Sequence, residues 1–467
     1  MSETTVTDVP PGASHQAVRV ARAVFRPLER FLHIQAASGI VLVVAAVIAL
    51  GWANSPWAGT YSAVFEAPIQ LGIGGHGLEV SVRFVINDVL MAIFFFVVGL
   101  EIRREMHAGE LSDLRRAALP IAAAIGGMIV PALIYLAFNP SGPAASGWGV
   151  PMATDIAFAV GVLALLGSRV PPSLRVFLLA LAIIDDIGAI LVIAVFYSSG
   201  IELTGLGIAL LGIAAIVGLQ RFGVRRVSAY VVPAAVVWAG VYSAGIHPTI
   251  AGVIVGLLTP AVAWYGPRRF VASAREDLGQ IAEITRQDAP TPDFSEPMTK
   301  LRRSQREVLS PVERIESAMH PWVAFGIMPV FALANAGVNV GDAGLGTMPL
   351  IAVGIAAGLV VGKLVGVLAA SMLAVKLGIA SLPRGATWRG VGVVGLVAGI
   401  GFTMALFIAE LAFAGRPALH GVAKIGVLLA SAAAALATLV VGRLLLDARP
   451  VPGAAETVEE AESSTER

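Results

Sequence analysis

Cysteine is absent from the 467 residues. That excludes disulfides, thiolate metal sites and cysteine nucleophiles, and it leaves the redox compartment unreadable. Charge is scarce: Asp, Glu, Lys and Arg make up 13%, about half the ~25% of a soluble domain. The net charge is +1, so no basic field points to a nucleic-acid partner. The first 30 residues carry four arginines and no continuous apolar core, unlike a cleaved signal peptide. What abounds is apolar surface, with 57% hydrophobic residues and a mean hydropathy of +0.83. Glycine, at 51 residues, is enriched as it is in membrane helices. Such a chain cannot cover itself with polar groups, so an all-α integral membrane protein is expected, with the lipid bilayer as its surroundings.

Apolar runs long enough to cross a bilayer recur along the chain. They fall at roughly 36–53, 86–102, 117–138, 147–167, 175–197, 203–220, 227–243, 247–263, 321–340, 350–374, 390–410 and 424–446, twelve in all. With both termini in the cytoplasm, the inner segments hold 28 of the 32 Lys and Arg. That asymmetry sets the orientation. Residues 1–32 read as a cytoplasmic extension, 33–447 as one twelve-helix membrane domain, and 448–467 as an acidic disordered tail. Within the domain, 264–319 carries nine basic and nine acidic residues and reads as a solvated cytoplasmic linker. Outside, Leu78 to Phe84 alternates after Gly72-Ile73-Gly74-Gly75, which predicts a small periplasmic β-hairpin. An isolated hairpin is marginal in water, so a homodimer pairing through it is expected.

The strongest functional signal is Asp185-Asp186, inside LLALAIIDDIGAILVIAV of the fifth span. One carboxylate at mid-bilayer costs about 2.5–3.5 kcal/mol, and two adjacent ones cost more. Adjacent helical residues point about 100° apart, so one can face an aqueous funnel while the other turns to a partner. Lys363 lies mid-span among Gly354, Gly358, Gly362 and Gly366, a small-residue stripe that lets another helix approach. It lies too deep to snorkel, and Asp185 or Asp155 could be its carboxylate partner. Thr154-Asp155 follows Gly147, Gly149 and Pro151. A hydroxyl, a carboxylate and freed carbonyls at a helix break are ligands that a hard cation such as sodium takes; an Asp capping a helix start is the plainer account. Gly395, Gly399 and Gly401, followed by Thr403, mark a second break in the eleventh span. Where two broken helices cross, an acid near the N-terminal ends and a base near the C-terminal ends offset the partial charges; Asp155 and Lys363 suit those roles.

VGLEIRREM, MATDIAFAVGVLALLGSRVP, LAIIDDIGAI, IHPTIAGVIVG, HPWVAFGIMPVFALANAGV and GIGFTMALFIA together closely resemble the bacterial NhaA sodium/proton antiporter family, from about residue 33 to 445. The resemblance implies inverted-topology repeats, interrupted fourth and eleventh helices, residence in the bacterial inner membrane, and electrogenic antiport of Na+ or Li+ against more than one H+. It implies that Asp185 and Asp186 are the paired site aspartates, with Asp186 the principal cation ligand. Thr154 and Asp155 match the extended stretch of the fourth helix, and Lys363 matches the lysine that pairs with Asp185. Glu101, Arg104, Glu105, His247 and Glu316 match positions linked to pH response. No cofactor is implied beyond the transported ions. The N-terminal extension, the longer 264–319 loop and the acidic tail depart from the family.

On this reading the aspartate pair binds either protons or one sodium ion. Burial and a second carboxylate favour protonation, while a nearby ammonium favours ionisation, and the pair titrates as a coupled system. Sodium then competes with protons, and only loaded forms cross. Three other readings compete. An intramembrane aspartyl protease needs its two Asp on facing helices, which leaves Asp186 and Lys363 unexplained. A proton-coupled carrier for an organic solute would show a cationic or aromatic pocket. A passive channel has no need of a proton-competing pair. Glu101, Arg104 and Glu105 also fit a plain salt-bridged helix end, His247 a merely interfacial histidine, and Asn87-Asp88, which opens the second span, fits a helix cap as well as a functional carboxylate.

Overall fold

The computed structural model describes residues 37–446 apart from 74–75, 199, 201, 264–265, 287–293, 342–345 and 347. The expected N-terminal extension and acidic tail therefore lie outside the described residues. The described chain is mostly helical. In order it runs α1 (Ala37–Ala53), α2 (Ala58–Phe65), β1 (Pro68–Ile73), β2 (His76–Ser81) and α3 (Val82–Ala108). Then come α4 (Leu114–Phe138), a 3-10 segment (Pro143–Met152), α5 (Ile156–Ala164), α6 (Pro172–Phe196), α7 (Leu203–Arg221), α8 (Ser228–Ser243) and α9 (Thr249–Leu258). Two polar helices, α10 (Pro267–Arg286) and α11 (Ser295–Val308), precede α12 (Pro311–Asn335) and α13 (Pro349–Lys376). The chain closes with α14 (Trp388–Ala398), α15 (Phe402–Ala412) and α16 (Pro417–Leu445).

Seven of these helices are long and apolar enough to cross a bilayer, or up to ten if each bent pair is one span. The bent pairs are α1 with α2 at 117°, the 3-10 segment with α5 at 44°, and α14 with α15 at 47°. Two shorter apolar helices, α8 and α9, occupy the seventh and eighth expected runs. Many large apolar side chains on these helices face outward, Leu191, Val195 and Leu211 among them. A soluble protein would not tolerate that; a lipid-facing one requires it. The chain is a multi-pass membrane protein.

Several local expectations change on the structure. β1 and β2 pair antiparallel from Pro68 opposite Ser81 to Ile73 opposite His76. The alternating stretch stops being strand at Ser81, whose hydroxyl accepts from Phe84 N and caps α3. Asn87 and Asp88 consequently do not open the second span; they sit in a π-helical turn, Val85–Leu90, inside it. The 264–319 stretch is not a featureless linker, since α10 and α11 fill much of it. It also ends early. Ser310 and Glu313 form a reciprocal capping box at the start of α12, whose pattern Ser-Pro-Val-Glu is a known helix-start signature.

The glycine stripe packs as its spacing demands. Gly354 faces Tyr135 and Asn139, Gly358 faces Pro151, Gly362 lies on Pro131, and Gly366 meets Gly126. At the last crossing a methyl on either glycine would overlap the other's carbonyl. α4 and α13 thus approach backbone to backbone, which brings Lys363 to the centre of the bundle. Gly366→Ala should therefore destabilise the detergent-purified protein by about 1–3 kcal/mol, the range of core overpacking, read as a lower melting temperature. Gly392→Ala, whose new methyl would meet only the Leu368 side chain at 3.7 Å, should melt like the parent. Equal melting of both variants would contradict the close crossing.

Candidate functional site

Two broken helices cross at the centre. After the 3-10 segment, residues 153–155 are non-helical; between α14 and α15 the helix is interrupted at residues 399–401. The two breaks are bonded to each other: Asp155 N donates to Ile400 O at 2.7 Å, and Thr154 Oγ1 donates to Ala398 O at 2.8 Å. Gly401 fits there because a side chain would meet Ala153 O at 2.9 Å.

Asp155 serves both N-terminal ends at once. Its Oδ1 accepts from Phe158 N at 3.0 Å and so caps α5. Its Oδ2 accepts from Thr403 N at 3.1 Å and from the Thr403 hydroxyl, at the start of α15. The capping account of Asp155 and its placement at the crossing are thus both present. A carboxylate there offsets the positive ends of two half-helices. The carbonyl ends are served differently from the expectation. Ala398 O and Ile400 O are taken by Thr154 and by the Asp155 amide, while Lys363 turns to another partner. Thr403→Val keeps the shape and removes one of three donors to Asp155. It should lower stability by about 1.5–3 kcal/mol, as for a hydrogen bond to a charged group, with Thr403→Ser restoring the melting temperature.

That partner of Lys363 is Asp185: Nζ donates to Oδ2 at 2.6 Å, with side chains 0% and 1% exposed. A five-residue π turn, Gly358–Gly362, immediately precedes Lys363 and sits on Pro131 and Pro151. The extra residue in that turn rotates the helix just where Lys363 must aim. Asp186 is buried as deeply, at 1% exposure, and it differs in one respect. Both of its carboxylate oxygens are buried with no hydrogen-bond partner among the described residues, as is Oδ1 of Asp185. Asp186 lies in the fields of Asp185, Glu101, Asp155 and Lys363. Neither aspartate faces an aqueous funnel in this conformation.

Four more expected residues gather at one end of α3. Arg104 bridges to Glu316 of α12 and lies 3.4 Å from Glu105, whose other oxygen accepts from Glu110 N at 3.0 Å. Glu101 lies one turn deeper and interacts electrostatically with Glu316, Arg104 and Glu105. His247 is elsewhere, just before α9. Its Nδ1 lies 2.8 Å from Thr249 Oγ1, its Nε2 3.7 Å from Asp88, and its ring stands edge-on to Phe407. Asn87 pairs with Asn335 of α12, Nδ2 of Asn335 reaching Oδ1 of Asn87 at 2.7 Å.

Sequence reasoning left Thr403 and Ser431 out of the site. Thr403 could have been weighed, since it follows the second glycine break. Ser431, whose hydroxyl accepts from Phe402 N at 3.0 Å, is one serine in a long apolar helix and carries no local signal.

Residues 29–441 match the family described as Na+/H+ antiporter 1. The chain is 58% identical over 468 residues to the Na(+)/H(+) antiporter NhaA 2 of Sorangium cellulosum (strain So ce56), with 100% of each covered. It is 57% identical over 458 residues to the Na(+)/H(+) antiporter NhaA 2 of Myxococcus xanthus (strain DK1622), covering 98% of this chain and 97% of the other. It is 51% identical over 437 residues to the Na(+)/H(+) antiporter NhaA of Janthinobacterium sp. (strain Marseille), covering 92% and 96%.

Proposed function

The chain belongs to the Na+/H+ antiporter family that its residues 29–441 match, and from that premise we propose that it exchanges sodium for protons at one carboxylate site built on Asp185 and Asp186. The single observation that carries this reading is the set of buried oxygens without partners: two on Asp186 and one on Asp185. Bare carboxylate oxygens in a low dielectric need either protons or a cation. Two protons or one sodium ion satisfy them alternately, and that alternation is the exchange rule.

Each neighbour has a role. Asp186 is the principal sodium ligand. Asp185 releases Lys363 to take part, and the Thr154 hydroxyl, which keeps its lone pairs while donating to Ala398 O, adds an oxygen. Asp155 holds the half-helix ends together. Lithium, another hard monovalent cation, fits the same donors. The empty site is too costly to move through the bilayer, so only loaded forms cross. Exchange of more protons than sodium ions carries net charge, and voltage then contributes about 2.3 kcal/mol per charge per 100 mV.

The wider reading is twelve spans arranged as inverted repeats in the bacterial inner membrane, with both termini in the cytoplasm. The lysine and arginine bias supports that orientation. The β1–β2 sheet offers an edge for a second copy, and a homodimer follows. The Arg104–Glu316–Glu105 group with Glu101, and His247 beside Asp88, are the pH-responsive elements.

The test is sodium-driven proton release from purified protein at several pH values. Sodium should expel protons, and its apparent affinity should fall by about tenfold per pH unit for each proton displaced as the solution is acidified. Sodium binding with no proton release would overturn the competition.

A further inference from the structure

The proposed exchange leaves one group of half-buried titratable side chains unused. It lies at the far end of α15 and the beginning of α16, joined by a turn at Gly415, whose φ is +72°. Glu410 and His420 face each other there, with Nε2 3.2 Å from Oε2. Both atoms are buried, and neither has a hydrogen-bond partner among the described residues, each other included. The side chains are 30% and 17% exposed, against 1% for Asp185 and Asp186. One edge of the pair therefore reaches solvent while the facing atoms are sealed.

A ring nitrogen and a carboxylate oxygen this close repel unless a proton lies between them. With the ring neutral and its proton on Nε2, the pair carries one negative charge. One more proton makes it neutral, as imidazolium with carboxylate or as imidazole with carboxylic acid. The surroundings bear on both states. Lys424, one turn further along α16 and 7% exposed, interacts with Glu410, Arg83 and Glu66. Arg83, from the start of α3, is paired with Glu66 at 2.8 Å. Those two cations favour the negative state. Glu66 and Asp88, the latter in the field of Glu410, favour the added proton. Tyr61 touches the same field but donates its hydroxyl to Leu333 O and Ala334 O. Arg416 turns away to Pro143 O at 3.4 Å and Ser146 Oγ at 3.5 Å. His247 faces Asp88.

The same two helices lead inward. Thr403, seven residues before Glu410 on α15, holds Asp155; Ser431, seven residues after Lys424 on α16, holds the amide of Phe402. The pair stands about 10 Å, two helical turns, from the crossing of the broken helices.

We propose that Glu410 and His420 form a second proton-binding site, separate from the paired aspartates, which takes one proton from the aqueous phase on the outer side. The outer placement rests on the orientation given under Proposed function; the existence of the site does not. The proton passes from hydronium to the Glu410 oxygen or the His420 nitrogen, leaving water, with no other bond made or broken.

The experiment is a proton count on full-length purified protein, acidified from alkaline pH in sodium-free buffer with a pH-sensitive dye, followed by sodium addition. Glu410→Gln and His420→Gln should each displace one uptake step along the pH axis. The double variant should take up at least one proton fewer per chain. All three should keep parental sodium-driven proton release. Asp186→Asn should show the converse, losing sodium-driven release and keeping the Glu410–His420 step. Parental proton uptake in the double variant overturns the proposal. Loss of sodium-driven release in either single variant that elutes and melts like the parent overturns the separateness of the site. Sodium-driven release that survives in Asp186→Asn overturns the paired-aspartate reading instead, and the count in the double variant still decides this one.

Discussion

Asp186→Asn should abolish sodium-dependent proton release and lower exchange in proteoliposomes at least about a hundredfold, the effect expected when a buried charged contact worth 3 kcal/mol or more is lost. Asparagine keeps the volume and the hydrogen-bonding oxygen, so packing around α6 is preserved. It loses the two properties the site needs, which are a titratable proton and a full negative charge. Both oxygens of Asp186 lack partners among the described residues, so neutralising it removes no structural contact. The melting temperature should accordingly stay at or above the parental value, because an uncompensated buried carboxyl is costly to bury in charged form. Loss of transport without loss of stability is the signature of a working ligand. A variant that unfolds, or one that still exchanges, would assign Asp186 a different role.

The contrast between Asp186 and Asp155 shows how far the sequence could be read. Both are acids in apolar runs, Asp186 beside Asp185 and Asp155 beside Thr154, and hydropathy treats them alike. The intramembrane cost of charge singled out Asp185, Asp186 and Lys363 at once, because nothing local satisfies them. Asp155 was ambiguous between helix cap and functional acid, and the structure shows it capping α5 while also holding Thr403 across the crossing. Only the tertiary fold brings residues 248 positions apart together, so no window along the chain could decide it. The same holds for Lys363, which could have met Asp155 or Asp185 until the Gly126–Gly366 approach aimed it. The π turns at Val85–Leu90 and Gly358–Gly362 left no composition signal either. A π turn differs from an α turn by one residue in the hydrogen-bond register, and apolar periodicity over five or six residues cannot resolve that. The helices within the 264–319 loop were hidden for a related reason. Equal numbers of acids and bases look like a solvated linker by composition, yet they also suit two polar helices, and the Ser310–Glu313 capping box was the cue to where the next span begins.

The second large effect concerns the buried ion pair. Lys363→Met leaves Asp185 at 1% exposure with no counter-charge, and breaking a buried pair from one side costs about 3–5 kcal/mol. The melting temperature of the purified variant should fall accordingly at neutral and alkaline pH. The deficit should shrink as the solution is acidified, because a protonated carboxyl needs no cation beside it. Lys363→Met combined with Asp185→Asn removes both charges, and a neutral pair of similar volume is often as stable as the ion pair it replaces. The double variant should therefore recover most of the lost stability, with a coupling well above the ~0.5 kcal/mol scatter of independent sites. The Nζ–Oδ2 distance of 2.6 Å and the absence of solvent are what make so strong a coupling physical. If the two substitutions simply add, Lys363 contributes to stability through its methylene packing along Gly127 and not through its charge. In that case the release of Lys363 from Asp185 that we propose would have no energetic meaning. If they couple strongly, the charge contact itself holds Lys363 on Asp185, and under the proposed exchange that is the energy a bound sodium ion would have to replace.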